Sequence, residues 1–356
     1  MDSRGSMDMD GKMQQKGFSV RRLQDFTSAV NPLGPSRKAK NVLRRHLKDL
    51  EFPDNQSYHL LNLLAKNEHI DGEMLMLRHG STDLLHTVLH VCKPSRVFVP
   101  APVSQGYRQV ISRAGATLHE ERLGQDELFS MSLPRLIKGM ERADAVILPY
   151  PHDIVGTHLA IDDLKSIITE ADAQRKVLIL DESLRDFTTL NSPVDEASQS
   201  KYAIIVRTFS LFYALAGLPV GYAIGSASMI GNIKKSALPF RTNTLAIRAA
   251  MASLKDRPYG IRTHRFVHEE KKYFMKTLAA INEGVSCIDT TCPFLVLKIE
   301  KEENQLKDLF SRYGMLIDTF FCGANNERYL RVPIRNHHWN ARFLKTLKNT
   351  FGVTKE

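Results

Sequence analysis

A handful of short stretches in this chain carry side chains that could do chemistry. Asp181 closes the apolar run Val177-Leu178-Ile179-Leu180, so a strand there would project a carboxylate from its end. The same residue type equally serves as a helix cap or a turn residue. His152 and Asp153 are neighbours and could form an acid–base pair, although adjacent polar residues are common on loops. Gly80-Ser81-Thr82-Asp83 precedes a helical pattern; backbone amides and the helix dipole favour an anion at such a point, while Ser81 and Thr82 also suit ordinary capping. Arg331 offers a planar fork of donors that matches a carboxylate, or else a surface ion pair, with Arg335 the better candidate for the surface. Asn31 stands before Pro32, where an Asx turn is the plainer reading. Cys287 and Cys292 have the spacing of half a metal site, but no Cys or His pair follows to complete it, so no metal is expected.

The elements that must position these residues alternate. Val97-Phe98-Val99, Ala145–Leu148, Val177–Leu180, Ala203–Val206 and Val220–Ile224 are apolar on both faces, as strands covered by helices on either side require. Helical stretches separate them at Thr82–Val91, Tyr107–Gly115 and Ile161–Ala173. Such alternation predicts an α/β fold with a mostly parallel sheet, whose ligands bind at the carboxyl ends of the strands. After residue 245 a long charge-laced helical region leads to Phe294–Lys298, a helix over Glu302–Tyr313, the strand Tyr329–Ile334 and a terminal helix from Ala341. That order suggests a smaller α+β domain. The expected organisation is a disordered tail over 1–18, an N-terminal segment over 19–50 packing with the small domain, a large domain over 51–247 and the small domain over 248–356.

Length and composition fit this picture. The 356 residues suffice for one large core and a second domain, and 43% hydrophobic with 25% charged residues is ordinary for a globular chain. A formal charge of +10 permits anionic partners, but the basic residues are scattered and no nucleic-acid-binding signature accompanies them. Nucleic acid is therefore not expected as a partner. The four cysteines lack a C-x-x-C pair, which suggests reduced thiols and a cytoplasmic location. The apolar run Leu211–Ile224 is too short to cross a membrane, and the first eighteen residues lack the apolar core of a signal peptide.

The stretch Arg207-Thr208-Phe209-Ser210-Leu211-Phe212-Tyr213-Ala214-Leu215-Ala216-Gly217-Leu218-Pro219-Val220-Gly221-Tyr222 resembles the lysine loop of the pyridoxal-phosphate (PLP) aminotransferases of fold type I, class I/II. The likeness is closest to the histidinol-phosphate aminotransferase and threonine-phosphate decarboxylase branch, and it extends from about Asp25 to Phe351. It implies a three-layer, mostly parallel α/β sheet with a smaller α+β domain. It also implies a homodimer. Asp181-Glu182-Ser183-Leu184-Arg185-Asp186-Phe187 matches the motif whose Asp holds the coenzyme's pyridine nitrogen. Gly80, Ser81 and Thr82 match the phosphate-binding turn, to which Thr208 and Ser210 would add hydroxyls; Arg78-His79 departs from the family pattern just upstream. Asn31-Pro32-Leu33-Gly34 matches an N-terminal element that closes over the substrate, and Arg331 the arginine that grips its carboxylate.

The departures fall on the coenzyme. Leu211 stands where the family has the lysine that forms the imine, and Pro219, eight positions on, where it has an arginine for the phosphate. Asp153 replaces an asparagine and Leu184 a tyrosine, both of which bond the phenolic oxygen; Ser104 replaces the ring-stacking aromatic and Phe52 a tyrosine that reaches the partner's phosphate. Surviving scaffold includes Arg207, Gly221 and the interdomain segment Pro239–Ala246. The resemblance thus implies an aminotransferase-like protein that has lost imine chemistry, with PLP absent or weakly bound. Such a pseudoenzyme would bind a small phosphate or carboxylate ligand, or a protein partner. Two alternatives stay open. One is a working transaminase or amino-acid (phosphate) decarboxylase that holds its cofactor without the lysine or borrows Lys234 or Lys235. The other is a basic polyanion-binding protein.

Overall fold

A computed structural model describes residues 24–51, 56–122, 129, 131–237, 242–281, 284–300, 303–322 and 327–351. The chain divides into two compact units, one of residues 33–263 and one that joins the N-terminal residues through Pro32 to His264 and beyond. The expected boundaries at 50 and 247 thus lie inside the larger unit. Helix α1 (Arg37–Arg45) is the reason for the first difference: it packs on a later helix of that unit, and Lys38 Nζ donates to Lys255 O at 2.8 Å.

The larger unit is built on a seven-stranded sheet. Its strands are β1 (Leu75–Arg78), β2 (Arg96–Ala101), β3 (Thr117–Arg122), β4 (Ala145–Pro149), β5 (Val177–Asp181), β6 (Ala203–Thr208) and β7 (Gly221–Ile224), in the spatial order β1-β7-β6-β5-β4-β2-β3. Pairing is parallel from β3 through β6; β7 runs antiparallel to both β6 and β1. Alternate strand residues enter two separate cores, as the pleat demands. Val146, Leu148, Leu178, Leu180, Ile205 and Tyr222 point to one, and Ala145, Ile147, Ile179, Ile204, Val206 and Ala223 to the other.

Helices cover both faces. The first core is closed by α2 (Ser57–Glu68), α5 (Leu133–Glu141), α6 (Ile161–Gln174), α7 (Val194–Gln199) and α9 (Thr244–Leu254). The second is closed by α3 (Gly80–Cys92), α4 (Gln105–Arg113) and α8 (Ala227–Ser236). This is the three-layer α/β architecture expected from the double-sided apolar runs. Crowding shows at Gly139 on α5, where a Cβ would lie 2.4 Å from the Phe98 ring. Helix α10 (Arg257–Leu278) runs across the division between the units.

The smaller unit carries a five-stranded sheet in which Gln24–Phe26 pairs parallel with Met315–Cys322. The other strands, Glu327–Pro333, Phe294–Ile299 and Val285–Ile288, follow antiparallel. The helices Glu303–Arg312 and His337–Phe351 contribute Leu306, Phe310, Phe343, Leu344 and Leu347 to a third core.

Candidate functional site

The carboxyl ends of β4, β5 and β6 and the turns beyond them gather most of the candidate residues of the larger unit. Asp181 is the last residue of β5 and is 6% exposed. Its carboxylate accepts from Tyr107 Oη at 2.9 Å and from the Ser183 amide at 3.0 Å. Burial pushes the Asp181 carboxyl above its ordinary value, and Asp153 adds to the rise, while the bonds from Ser183 and Tyr107 oppose it. Because the folded state raises this pKa, its stabilising contribution is present below the ordinary carboxylate range and is lost as pH climbs through the raised value. A buried carboxylate of this type is kept at the expense of stability, as functional groups often are.

Tyr107 was not singled out by its residue type. It sits on α4 with Val110 and Ile111 at helical spacing, which reads as core, yet its hydroxyl reaches Asp181 across 74 positions of sequence. Burial raises the Tyr107 hydroxyl well above its ordinary pKa, so it stays protonated and donates.

His152 does not form the acid–base pair that its neighbour suggested. It is 1% exposed; its Nδ1 accepts the Ile154 amide at 3.2 Å, and its Nε2 lies 3.3 Å from the Pro100 carbonyl. Those partners fix the proton on Nε2. Asp153 Oδ1 lies 3.6 Å from Nδ1, but that nitrogen has no proton to give it. Asp153 Oδ1 is itself enclosed and takes no hydrogen bond.

Gly80, Thr208 and Ser210, which the resemblance assigns to a phosphate, lie close together. Gly80 opens α3 with φ +87°, and a Cβ there would lie 3.5 Å from Pro219 Cβ and 3.9 Å from Ser210 Oγ. Thr208 Oγ1 and Ser210 Oγ bond each other at 3.0 Å, and the Ser210 amide donates to Thr208 Oγ1 at 3.1 Å. Ser81 is half-buried and Thr82 exposed. Arg78, the last residue of β1, is drawn onto α3: Nε lies 3.2 Å from Asp83 Oδ2, and an Nη donates to Thr87 Oγ1 at 3.1 Å. Asp83 also takes the His79 amide at 3.1 Å, so a protein carboxylate already answers part of the positive field at this helix start.

Leu211 follows on the turn between β6 and β7 and is half-buried. The turn is held by the Ala214 amide on Leu211 O at 3.1 Å, with Ala214 at φ +53°, and by Tyr259 Oη of α10 on Phe212 O at 3.1 Å. Tyr259 Oη also bonds Gly34 O at 2.8 Å, a tie that no local motif announces. Beneath the turn lies a buried ionic cluster. Arg207 bonds Glu68 at 2.6 Å, Glu182 at 2.7 Å, Ser192 at 2.9 Å and Tyr222 Oη at 3.1 Å. Burial opposes the charge on Arg207, but Tyr222, Glu182 and Glu68 outweigh it and hold the guanidinium charged.

The residues present do not fit a coenzyme held by an imine at the β6–β7 turn. Leu211 offers carbon and hydrogen where a nitrogen is needed, and Pro219 offers no donor beside Gly80. Leu184 is buried, and Ser104 precedes α4 without capping it through its side chain. Lys234 and Lys235 are exposed at the end of α8; Lys234 feels Glu73, which precedes β1, whereas Gly80 follows it. Phe52 and the residues Pro239, Phe240 and Arg241 lie outside the described residues, as does the tail over 1–18.

Asn31 and Arg331 belong to the smaller unit. Asn31 is buried. Arg331 stands opposite Asp318 in the strand register, donates to Thr27 O at 3.3 Å and rests 4.7 Å above the Phe294 ring. Burial raises the Asp318 carboxyl and Arg331 pulls it back down. Arg335 is not the surface residue expected: it is half-buried and donates to Ser28 O at 3.4 Å and Val30 O at 3.3 Å.

Among the described residues, no helix is long and apolar enough to cross a membrane, and no group of three His, Cys, Asp or Glu side chains could hold a metal ion. The family model described as aminotransferase class I and II matches residues 36–341. The threonine-phosphate decarboxylase of Salmonella typhimurium is 25% identical over 338 residues, covering 94% of this chain and 92% of that protein. The histidinol-phosphate aminotransferase of Symbiobacterium thermophilum is 26% identical over 346 residues, covering 95% and 93%. Among solved structures, the histidinol-phosphate aminotransferase of Sinorhizobium meliloti in complex with pyridoxal-5'-phosphate superposes with a TM-score of 0.85 at 17% identity, over 96% of this chain and 94% of that one. The family match over most of the chain and the shared three-layer fold agree: this chain belongs to the aminotransferase class I and II family.

Proposed function

We propose that this protein keeps the aminotransferase fold without its imine chemistry and works as a binding or partner subunit of that family. The observation that carries the reading is Leu211, a hydrocarbon side chain on a turn that Tyr259 and Ala214 hold in place, beside a helix start lined by Gly80, Thr208 and Ser210. A leucine can neither form an imine nor shuttle a proton. The ligand class that suits Gly80, Thr208 and Ser210 is a small phosphate; within the smaller unit, Arg331 by itself suits a carboxylate.

Incubation with PLP, an absorbance scan and borohydride treatment test this directly. The expected result is no imine band and no coenzyme fixed to the chain. A borohydride-fixed adduct on any lysine, or turnover with an amino donor, overturns the reading. The rival reading, a working transaminase or decarboxylase with non-covalently held cofactor, draws its support from Asp181, which keeps its place at the strand end with Tyr107 bonded to it. It would gain from the second outcome.

We further propose a cytoplasmic homodimer. Leu47, Leu50 and Tyr58 of the larger unit are 56%, 61% and 69% exposed within a short stretch, and a partner chain would give them apolar cover. Sedimentation at twice the chain mass of 40.3 kDa is expected; a monomer at micromolar concentration would count against it.

A further inference from the structure

We infer that the cavity between α2 and α7 is a second ligand site of the larger unit, and that it takes a basic amino acid such as L-lysine. The inference goes beyond the function proposed above, because none of the residues lining this cavity belongs to the β6–β7 turn.

The cavity has a volume of about 790 Å³, within the range of small-molecule sites. Asn62 and Lys66 lie one turn apart on α2 and form one wall; Asp195 and Gln199 have the same spacing on α7 and form the other. The segment that leads from α2 into β1 makes the floor, with Asp71 beside Ile70 and Met74. Both walls are anchored to the same buried ionic cluster. Glu68 of α2 bonds Arg207 at 2.6 Å; Ser192, just ahead of α7, accepts from Arg207 at 2.9 Å and donates to Glu182 at 2.6 Å. Beyond the other end of α7, Ser200 Oγ donates to Asp172 at 2.8 Å. The walls are therefore held in place before any ligand arrives, which lowers the cost of binding.

The polar side chains around the cavity are not spent on one another. Among the described residues, those of Asn62, Lys66, Asp71, Asp195 and Gln199 make no hydrogen bond or ion pair. Two of them are carboxylates and one is an ammonium, with His69 counted as neutral. The complementary ligand carries two cations and one carboxylate. An amino acid with an ammonium at the end of its side chain has that set of charges, and its methylene stem suits Ile70 and Met74. A diamine lacks the group that Lys66 would pair with, and a neutral amino acid lacks one of the two cations.

Equilibrium dialysis of the full chain with radiolabelled L-lysine, and competition by cadaverine and L-norleucine, tests the assignment. Cadaverine is L-lysine without its carboxylate, and L-norleucine is L-lysine without its side-chain ammonium. Lys66, Asp71 and Asp195 are exposed, so each charge pairing is worth a factor of roughly three to five. L-Lysine is expected to bind at least about threefold more tightly than either relative. Lys66→Gln should weaken L-lysine at least about threefold without weakening cadaverine, and Asp195→Asn should weaken both by that factor. Both side chains are exposed and bond nothing in the chain, so the variants keep the fold. Arg331→Ala, in the smaller unit, should leave L-lysine binding where it was.

No binding of L-lysine at millimolar concentration, either relative within about threefold of it, or a smaller L-lysine shift in either cavity variant would overturn the inference. So would a Lys66→Gln chain that loses cadaverine as much as L-lysine. Loss of L-lysine binding in Arg331→Ala would also overturn it, by placing the probe in the smaller unit. A borohydride-fixed PLP adduct sinks the proposed function and leaves this cavity as it stands.

Discussion

A chain carrying Leu211→Lys and Pro219→Arg is expected to take up PLP as an adduct that borohydride fixes, with an affinity gain on the order of 100-fold or more over the native chain. The arginine alone accounts for roughly 1.5–3 kcal/mol, the worth of a hydrogen bond to a charged group, and the covalent bond adds to it. The turn can accept both changes. Leu211 is half-buried, so a longer side chain has a path outward, and Pro219 is exposed with its ring beside Gly80. Neither backbone position has a positive φ that a larger residue would strain. Thr208, Ser210, Asp181 and Tyr107 are already bonded in place. Each single variant separates the contributions: Pro219→Arg should tighten reversible binding without an adduct, and Leu211→Lys should give an adduct that releases PLP readily. If the double variant neither binds more tightly nor is fixed by borohydride, the cleft is closed to the coenzyme by something beyond these two residues, and Asp153 becomes the first place to look.

Much of the fold could be read from the chain because its central strands are buried on both faces. Runs such as Ala145–Leu148 and Ala203–Val206 have no polar face to confuse the pattern, and each found its strand. Leu75–Arg78 is just as buried but goes unannounced, having only four residues and running almost directly into α3, and Val285–Ile288 is as short; the other strands missing from that reading lack the pattern. Thr117–Arg122 is the edge of the sheet and carries His119, Glu120 and Glu121, so it lacks an apolar signature. Met315–Cys322 lies in the small unit, and Gln24–Phe26 has only three residues. The places of the candidate residues in the fold were also legible, because Asp181, Thr208 and Gly80 each sit at a strand end or a helix start. Their bonding was not. The Tyr107 bond to Asp181 and the Tyr259 ties to Gly34 and Phe212 join residues far apart in sequence, and helical spacing marks Tyr107 only as core. His152 illustrates the converse. Its pairing with Asp153 was plausible from adjacency, but the amide of Ile154 claims the nitrogen that the pair would need. Arg78 and Arg335 are spent on their own surroundings for similar reasons of local geometry.

Gly221→Ala should be among the most destabilising single substitutions in the larger unit, at about 3 kcal/mol or more, for the addition of one methyl group. Gly221 begins β7 and pairs with Thr208 on one side and Arg78 on the other. A Cβ at this position would lie 2.7 Å from Arg207 O, 2.9 Å from Gly80 C and 3.0 Å from Gly80 Cα. All three are backbone atoms, so no side-chain rotation can relieve the overlap. Relief requires β6 and the start of α3 to part, and those are the segments that bring Thr208 and Ser210 beside Gly80. The same shift would disturb the carbonyl of the residue whose side chain anchors Glu68 and Glu182. Gly217→Ala is the matched control. It lies on the same turn, a Cβ there meets nothing within 4 Å, and its cost should stay within about 0.5 kcal/mol. Urea unfolding of the two variants beside the native chain measures both costs. A Gly221→Ala chain that unfolds at the native midpoint would mean that β7 does not press on Gly80 as described, and the close placement of Gly80 beside Thr208 and Ser210 would lose its physical basis.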